Sequence, residues 1–224
     1  FYATGKIIDH LNQKFEANLD PDGYYRDLNN YTIETYSHIY MGSQGRDAGL
    51  IYSRRLDDYS FLYPKFATNY HYYSRYKGGK EANKDGPIDR TLIDRKYLDY
   101  ADPYDREMNN SYLQGVVRFD QIDNKLNPNG PTALFIRASY SSPVATFLSP
   151  MFSRIELLWS LHFSPTGDGS IQKMLEKKHF DYVFVALALD NFTNEGTPFY
   201  TDDPKAAENG DADVAAQGQD PAAH

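Results

Sequence analysis

Ser139 ends an apolar run, Ala133-Leu134-Phe135-Ile136-Arg137-Ala138, and stands four residues before Pro143, which opens a helical pattern reaching Phe152. A buried strand that turns tightly into a helix holds such a serine at the carboxyl edge of a parallel sheet. Backbone N–H groups at the start of the helix then face whatever the hydroxyl attacks. Nucleophilic serines of several hydrolase classes sit on turns of this kind. Ser141 and Ser142 precede a proline at the first helical position, so a serine here also suits the role of helix cap. Nucleophile and cap both remain open at this stage.

A serine nucleophile needs a base, usually histidine, oriented by a carboxylate or an amide. Of the six histidines, His10 and His179 fall on helical patterns and His224 lies at the chain terminus. His71 sits in Thr68-Asn69-Tyr70-His71-Tyr72, where an extended backbone points Asn69 and His71 to the same face. His162 follows the run Arg154–Leu161 and competes with it as a residue at a strand's carboxyl end. Asn191, after a third such run, has an amide able to donate to an oxyanion. With Arg137 and Tyr140 beside the serine, Asn191 and His162 complete the candidate oxyanion- and substrate-binding set. There is no His-Glu-x-x-His, EF-hand or Cys/His ligand spacing, so no metal is implied. Lys77-Gly78-Gly79-Lys80 follows no buried strand and lacks phosphate-loop spacing, so no nucleotide cofactor is implied either.

The elements that must hold these residues are clearest in the last third. Ala133–Tyr140, Arg154–Leu161 and Asp181–Leu189 read as strands, with helices over Pro143–Phe152 and Ser170–His179. Continuous apolar runs predict strands buried on both faces. Their alternation with helices predicts parallel β-α-β units in an α/β fold. Upstream, Thr4–Leu19 reads as a helix capped by Thr4, with Ile7, Ile8, Leu11 and Phe15 on one face. Tyr31–Tyr40 is strand-like, and Tyr59–Tyr73 is extended with a break at Pro64. Lys77 to Pro87 reads as a polar loop, and Tyr97–Asn127 as irregular with a short strand at Leu113–Phe119. Residues 1–202 are expected to form one domain, and residues 203–224, rich in Asp, Ala, Gly and Gln, an acidic disordered tail.

Composition narrows the partners. A net charge of −8, with no basic block, argues against nucleic acid. The absence of cysteine removes thiolate and disulfide chemistry and fits an extracytoplasmic protein. No run reaches the roughly 18 apolar residues that span a bilayer. The first residue is Phe1 rather than Met, which predicts a preceding segment such as a signal peptide or anchor. The chain holds 20 tyrosines, concentrated between Tyr24 and Tyr112, enough to build either a glycan-stacking surface or half-buried strands.

Three segments together resemble a family. They are Gly42-Ser43-Gln44-Gly45-Arg46, Leu56 through Phe61-Leu62-Tyr63-Pro64-Lys65-Phe66 to Asn69, and Ala133 to Phe152. In order and spacing they are similar to DHHW proteins, bacterial envelope proteins akin to the SGNH-like alginate O-acetyltransferases, over roughly Gly42 to Phe192. The resemblance implies an SGNH-like three-layer sandwich with a mainly parallel sheet, in circularly permuted motif order, and an irregular Tyr-rich middle. It also implies a piece of a longer protein, secreted or held at the membrane by a segment outside this chain. Ser139 matches the serine of the family's Arg-Asp-Ser-aromatic block, and Asn69-Tyr70-His71-Tyr72 matches its Asp-His-His-Trp motif. By that match Ser139 forms an acyl-enzyme, His71 moves the proton, Asn69 orients His71, and the Ser139 N–H with Asn191 holds the oxyanion. The implied reaction is acyl transfer or ester hydrolysis on an extracytoplasmic polysaccharide, without a cofactor, with a membrane acyl-transfer protein as partner. The opposing reading is a non-catalytic relative that binds a glycan or such a partner. Two departures weigh on the choice: Ala138 stands where the family has Asp before the serine, and Asn69 stands for the first Asp of the motif.

Overall fold

The computed structural model describes residues 1–41, 45, 55–76, 80–99, 108–113, 119–159 and 171–187. Among these, six strands form one sheet in the order β4-β3-β5-β7-β6-β8. The strands are β3 (Tyr70–Arg75), β4 (Glu81–Gly86), β5 (Phe119–Asn124), β6 (Thr132–Arg137), β7 (Arg154–Trp159) and β8 (Tyr182–Ala186). β6 is central to the parallel part, pairing in parallel with β7 on one side and β8 on the other. β5 enters antiparallel between β3 and β7, and β4 closes the far edge antiparallel to β3. The fold is therefore mixed α/β: β3, β6, β7 and β8 run one way, and β4 and β5 the other. A second, two-stranded antiparallel ribbon joins β1 (Tyr31–Tyr40) to β2 (Asp57–Pro64), with an irregularity between Tyr36 and Tyr40.

Accompanying the strands are the helices α1 (Tyr2–Phe15), α2 (Ile88–Thr91), α3 (Ser142–Leu148) and α4 (Ile171–Lys177). α1 starts two residues before Thr4, which lies buried inside it rather than capping it. It ends at Glu16, whose left-handed backbone (φ 52°) lets its N–H reach the Leu11 carbonyl. Ile8 and Leu11 are buried, whereas Phe15 points out. α3 has its proline in the first turn, as the sequence suggested. It stops at Leu148 because Pro150 breaks the pattern into a short 3-10 turn, Ser149–Met151.

Registered neighbours in a sheet share a face, so one face of the large sheet carries Tyr70, Tyr72, Ile122, Ile155, Leu157, Ala133 and Phe135. This face packs with Ile8 and Leu11 of α1 and with Ala145, Phe147 and Leu148 of α3 to form the main core. Phe147 meets Phe1, Tyr31 and Tyr112 at ring-centroid distances of 5.4, 5.8 and 5.4 Å. Burial of such a ring contributes about 1.5–3 kcal/mol each. Tyr31, Tyr59, Tyr70, Tyr72 and Tyr112 are all buried, so these tyrosines fill the core and offer no surface to a glycan. Across the sheet, buried Glu156 takes two hydrogen bonds of 2.8 Å from Lys178, just after α4.

Two expectations are corrected. Glu81–Gly86, read as loop, is the edge strand β4, formed by backbone pairing and needing no apolar side chains. Most of the strand expected at Leu113–Phe119, residues 114–118, lies outside the described residues, and Phe119 belongs to β5. β8 is not buried on both faces: as an edge strand it leaves Val183 and Val185 46% and 58% exposed. The Lys77-Gly78-Gly79 loop, the strand ends beyond Trp159 and Leu187, and the acidic tail lie outside the described residues. No described helix is long and apolar enough to cross a membrane.

Candidate functional site

β6 runs between two parallel neighbours, and the chain leaves it at Arg137, level with the last residues of β7 and β8, Trp159 and Ala186. Ala138 is buried, and its N–H donates to the Ala186 carbonyl at 2.9 Å, extending the β6–β8 ladder by one step. Ser139–Ser141 then form a single 3-10 turn, closed by the Ser141 N–H on the Ala138 carbonyl at 3.2 Å. The Ser141 hydroxyl donates to the same Ala186 carbonyl at 3.2 Å, and Ser142 opens α3. Strand, turn and helix thus follow one another as the sequence implied, with Ser139 on the sheet's carboxyl edge. Tyr140 is 46% exposed beside it.

Arg137 is fully buried beneath this turn. Its Nη2 lies 2.6 Å from Asp120 Oδ2, its Nη1 donates to Ser142 Oγ at 3.1 Å, and its guanidinium covers the Trp159 ring at 5.0 Å. The Tyr72 hydroxyl donates to the other Asp120 oxygen. Burial pushes the Asp120 carboxyl above its ordinary range, against the opposing pull of Arg137 and Tyr72. The Tyr72 hydroxyl is raised well above the usual phenol, by burial first and then by Asp120. Arg137 was expected to bind substrate. Its register with Trp159 turns it to the core face with Ala133 and Phe135, where it anchors the turn through Ser142 and reaches no solvent. Asp120 and Tyr72 escaped the sequence reading, because β5 reads as polar and Asp120 contacts Arg137 only through the tertiary fold.

His71 lies elsewhere. It is level with Asp123 on β5, which is level with Arg154 on β7 and so with Thr132 at the start of β6. Three strand spacings across and the length of β6 along put it on the order of 20 Å from Ser139. It also projects from the face opposite Arg137. The structure therefore does not bring His71 to Ser139. Nor does Asn69 orient it: His71 Nδ1 lies 3.2 Å from Asp85 Oδ1 on the paired strand β4. Lys125 first and His71 second hold the Asp85 carboxyl below its ordinary range. Asn69 serves through its backbone, its carbonyl accepting from the Lys125 N–H at 2.8 Å.

His162 and Asn191 lie outside the described residues. A further histidine pair, not anticipated, stands on the β1–β2 ribbon. His38, in a left-handed backbone (φ 55°), places Nδ1 at 3.1 Å from Asp58 Oδ1, and that oxygen also accepts its N–H at 2.9 Å. Among the described residues no group of three or more His, Asp or Glu is arranged to hold a metal.

Compared with profiles of known protein families the chain matches none, and no curated protein sequence matches it. Solved structures do share its fold. Bacillus cereus PatB1 with a sulfonyl adduct superposes with a TM-score of 0.61 at 13% identity, over 85% of this chain and 56% of that one. A DHHW family protein from Eubacterium siraeum gives 0.51 at 14% identity, over 82% and 54%. PatB1 without the adduct gives 0.51 at 13% identity, over 74% and 51%. The chain shares a mixed α/β fold with a DHHW protein and with PatB1. The chain spans about half the length of these solved chains.

Proposed function

We propose that the chain is an SGNH-like acyl-transfer domain, an O-acetyltransferase or acetylesterase acting on an extracytoplasmic polysaccharide with Ser139 as nucleophile. The observation that carries this reading is the position of Ser139, on a tight turn at the edge where β7, β6 and β8 end, opening α3. A fold shared with a protein solved as a sulfonyl adduct supports it, since sulfonyl groups are captured by activated side-chain nucleophiles. The SGNH-like three-layer arrangement, the envelope location and a membrane acyl-transfer partner belong to the same proposal.

With His71 remote, His162 is the candidate base. It follows Trp159 by three residues, and Trp159 is paired with Arg137, two residues before Ser139. Ser139 Oγ adds to the acetyl carbonyl while His162 takes its proton; collapse expels the donor's oxygen, which recovers that proton. A sugar hydroxyl or water then attacks the acyl-serine in the reverse sense. The Ser139 N–H and Asn191 are the candidate oxyanion donors, and exposed Tyr140 the candidate substrate contact. Aryl acetate turnover by the intact chain, by Ser139→Ala and by His162→Ala tests the scheme. Loss of turnover in both variants is expected, and turnover that survives Ser139→Ala overturns it.

A second reading, a glycan-binding relative without catalysis, is favoured by Ala138 at the position of the family's aspartate and by the distance of His71. It predicts no turnover by the intact chain and by Ser139→Ala alike.

A further inference from the structure

A groove of about 580 Å³ opens at the end of the sheet opposite Ser139. One wall is the loop Ala17–Tyr25; the other is the β5–β6 turn, at Leu126, Asn127, Gly130 and Pro131, with Pro150 and Met151 between them. We propose that this groove binds an uncharged oligosaccharide, at a site separate from the Ser139 edge. The inference goes beyond the proposed acyl transfer and does not depend on it.

The first support is the loop wall, which is fixed before any ligand arrives. Asn12 brackets Leu19, donating to its carbonyl and accepting from its N–H, both at 2.7 Å. Buried Asp20 accepts from the Tyr25 N–H and from Arg26 Nε, each at 2.9 Å, and Arg26 also reaches Asp9 at 2.6 Å. Within this clamp Glu16, Asn18 and Asp20 all hold left-handed backbones, at φ 52°, 50° and 48°. Non-glycine residues seldom adopt that conformation, and such strain persists only where surrounding bonds over-determine it. Glu16 is the C-cap of α1, while Asn18 and Asp20, held by the bonds at Leu19 and Tyr25, give the groove a wall that is fixed before any ligand arrives.

The second support is the chemistry of the lining. Tyr24 is 48% exposed yet held in orientation by Tyr25 and Phe66, at centroid distances of 5.5 and 5.6 Å. A rigid, half-exposed phenol is a stacking plate for the apolar face of a sugar ring. Across from it Leu126 is 57% exposed. Between them the exposed Asp22 carboxylate and the Asn18 and Asn127 amides supply acceptors and donors for hydroxyls. The lining includes two aspartates and neither lysine nor arginine, which disfavours anionic polymers. The volume falls in the usual range of small-ligand clefts, about 300–1,000 Å³.

Isothermal titration of the full chain with neutral tetrasaccharides of glucose, N-acetylglucosamine and mannose tests the proposal, with tetragalacturonate as the anionic control. We expect at least one neutral probe to bind, with Tyr24→Ala and Asp22→Asn weakening it tenfold or more. Tyr24→Phe, which keeps the plate, and Ser139→Ala should leave affinity unchanged. Both Tyr24 and Asp22 are exposed, so their variants should fold. The proposal is overturned if no neutral probe binds at millimolar concentration, if Tyr24→Ala and Asp22→Asn bind undiminished, or if tetragalacturonate binds as tightly. Loss of binding in Ser139→Ala would also overturn it, by moving the site to the other edge.

Discussion

Arg137 on β6 reaches across β7 to Asp120 on β5, closing an ion pair at 2.6 Å in which neither side chain has any exposed surface. Ser142 Oγ and the Tyr72 hydroxyl complete it, while Arg137 Nε has no hydrogen-bond partner among the described residues. Desolvation of two such charges is offset only while both are present. Asp120→Asn keeps the shape, removes the charge and leaves a buried guanidinium uncompensated. The expected loss is about 3–5 kcal/mol in urea unfolding. Replacing both partners by apolar residues, Asp120→Leu with Arg137→Met, should recover much of that loss. A single variant as stable as the parent would show that the pair contributes nothing.

The register separates His71 from Ser139, and that has a kinetic consequence. His71→Ala should leave aryl acetate turnover within about twofold, whereas Ser139→Ala lowers it by a thousandfold or more. The His71–Asp85 contact is exposed and shared with Lys125, so its loss should leave the unfolding midpoint nearly unchanged. A His71→Ala enzyme as inactive as Ser139→Ala would mean the strands rearrange when substrate binds.

Buried tyrosines make the fold sensitive to alkali. Burial pushes the Tyr59 hydroxyl up to about 12, and Tyr31, Tyr70, Tyr72 and Tyr112 are raised too. The unfolded phenol titrates near 10. A raised acid favours the folded state while neutral, so this stabilisation is complete below about pH 10 and falls away as pH rises toward 12. Tyrosinate absorbance followed together with circular dichroism should show two phases. An early rise in absorbance comes without structural change, and the buried tyrosines ionise with cooperative unfolding. One smooth titration with unchanged dichroism would contradict this assignment.

What was legible in the chain divides along a physical line. β6 carries a run of large or β-branched residues that demands burial, and β1 was legible from its β-branched and aromatic residues although only Tyr31 of it is buried; the bounds of both lie close to those read from sequence. β4, with Glu81-Ala82-Asn83-Lys84-Asp85-Gly86, has no large apolar residue and is a strand only because β3 offers it backbone partners. β5 was obscure because Asp120 is buried by Arg137, 17 residues further on, and no local pattern announces that pairing. At the candidate site, the turn around Ser139 could be read because strand, serine and proline are consecutive. The surroundings of His71 could not. Its neighbour Asp85 is fixed by the β3–β4 register, which depends on a hairpin of polar residues. Arg137 sat in a continuous apolar run, where alternation cannot say which face a side chain takes.

Gly130 offers a test at the other end of β6. It sits in the β5–β6 turn, its N–H donating to the Asn127 carbonyl at 3.2 Å. A Cβ there would lie 2.5 Å from Asn127 Nδ2 and 3.0 Å from the Ser153 backbone nitrogen. The Asn127 side chain can swing away, since its bond to the Pro150 carbonyl is long, at 3.5 Å. Ser153 cannot, because its N–H is held by the Pro131 carbonyl at 2.9 Å, beside the first residue of β6. Gly130→Ala should therefore destabilise by about 1–3 kcal/mol, as overpacking against fixed backbone does. Because Gly130 and Asn127 also line the groove, affinity for the neutral tetrasaccharide should fall in the same variant, while the Ser139 turn at the far end of β6 is left intact. Unfolding midpoints, titration and aryl acetate turnover on one preparation read these effects separately; an unchanged midpoint would mean that the turn yields where the packing says it is held.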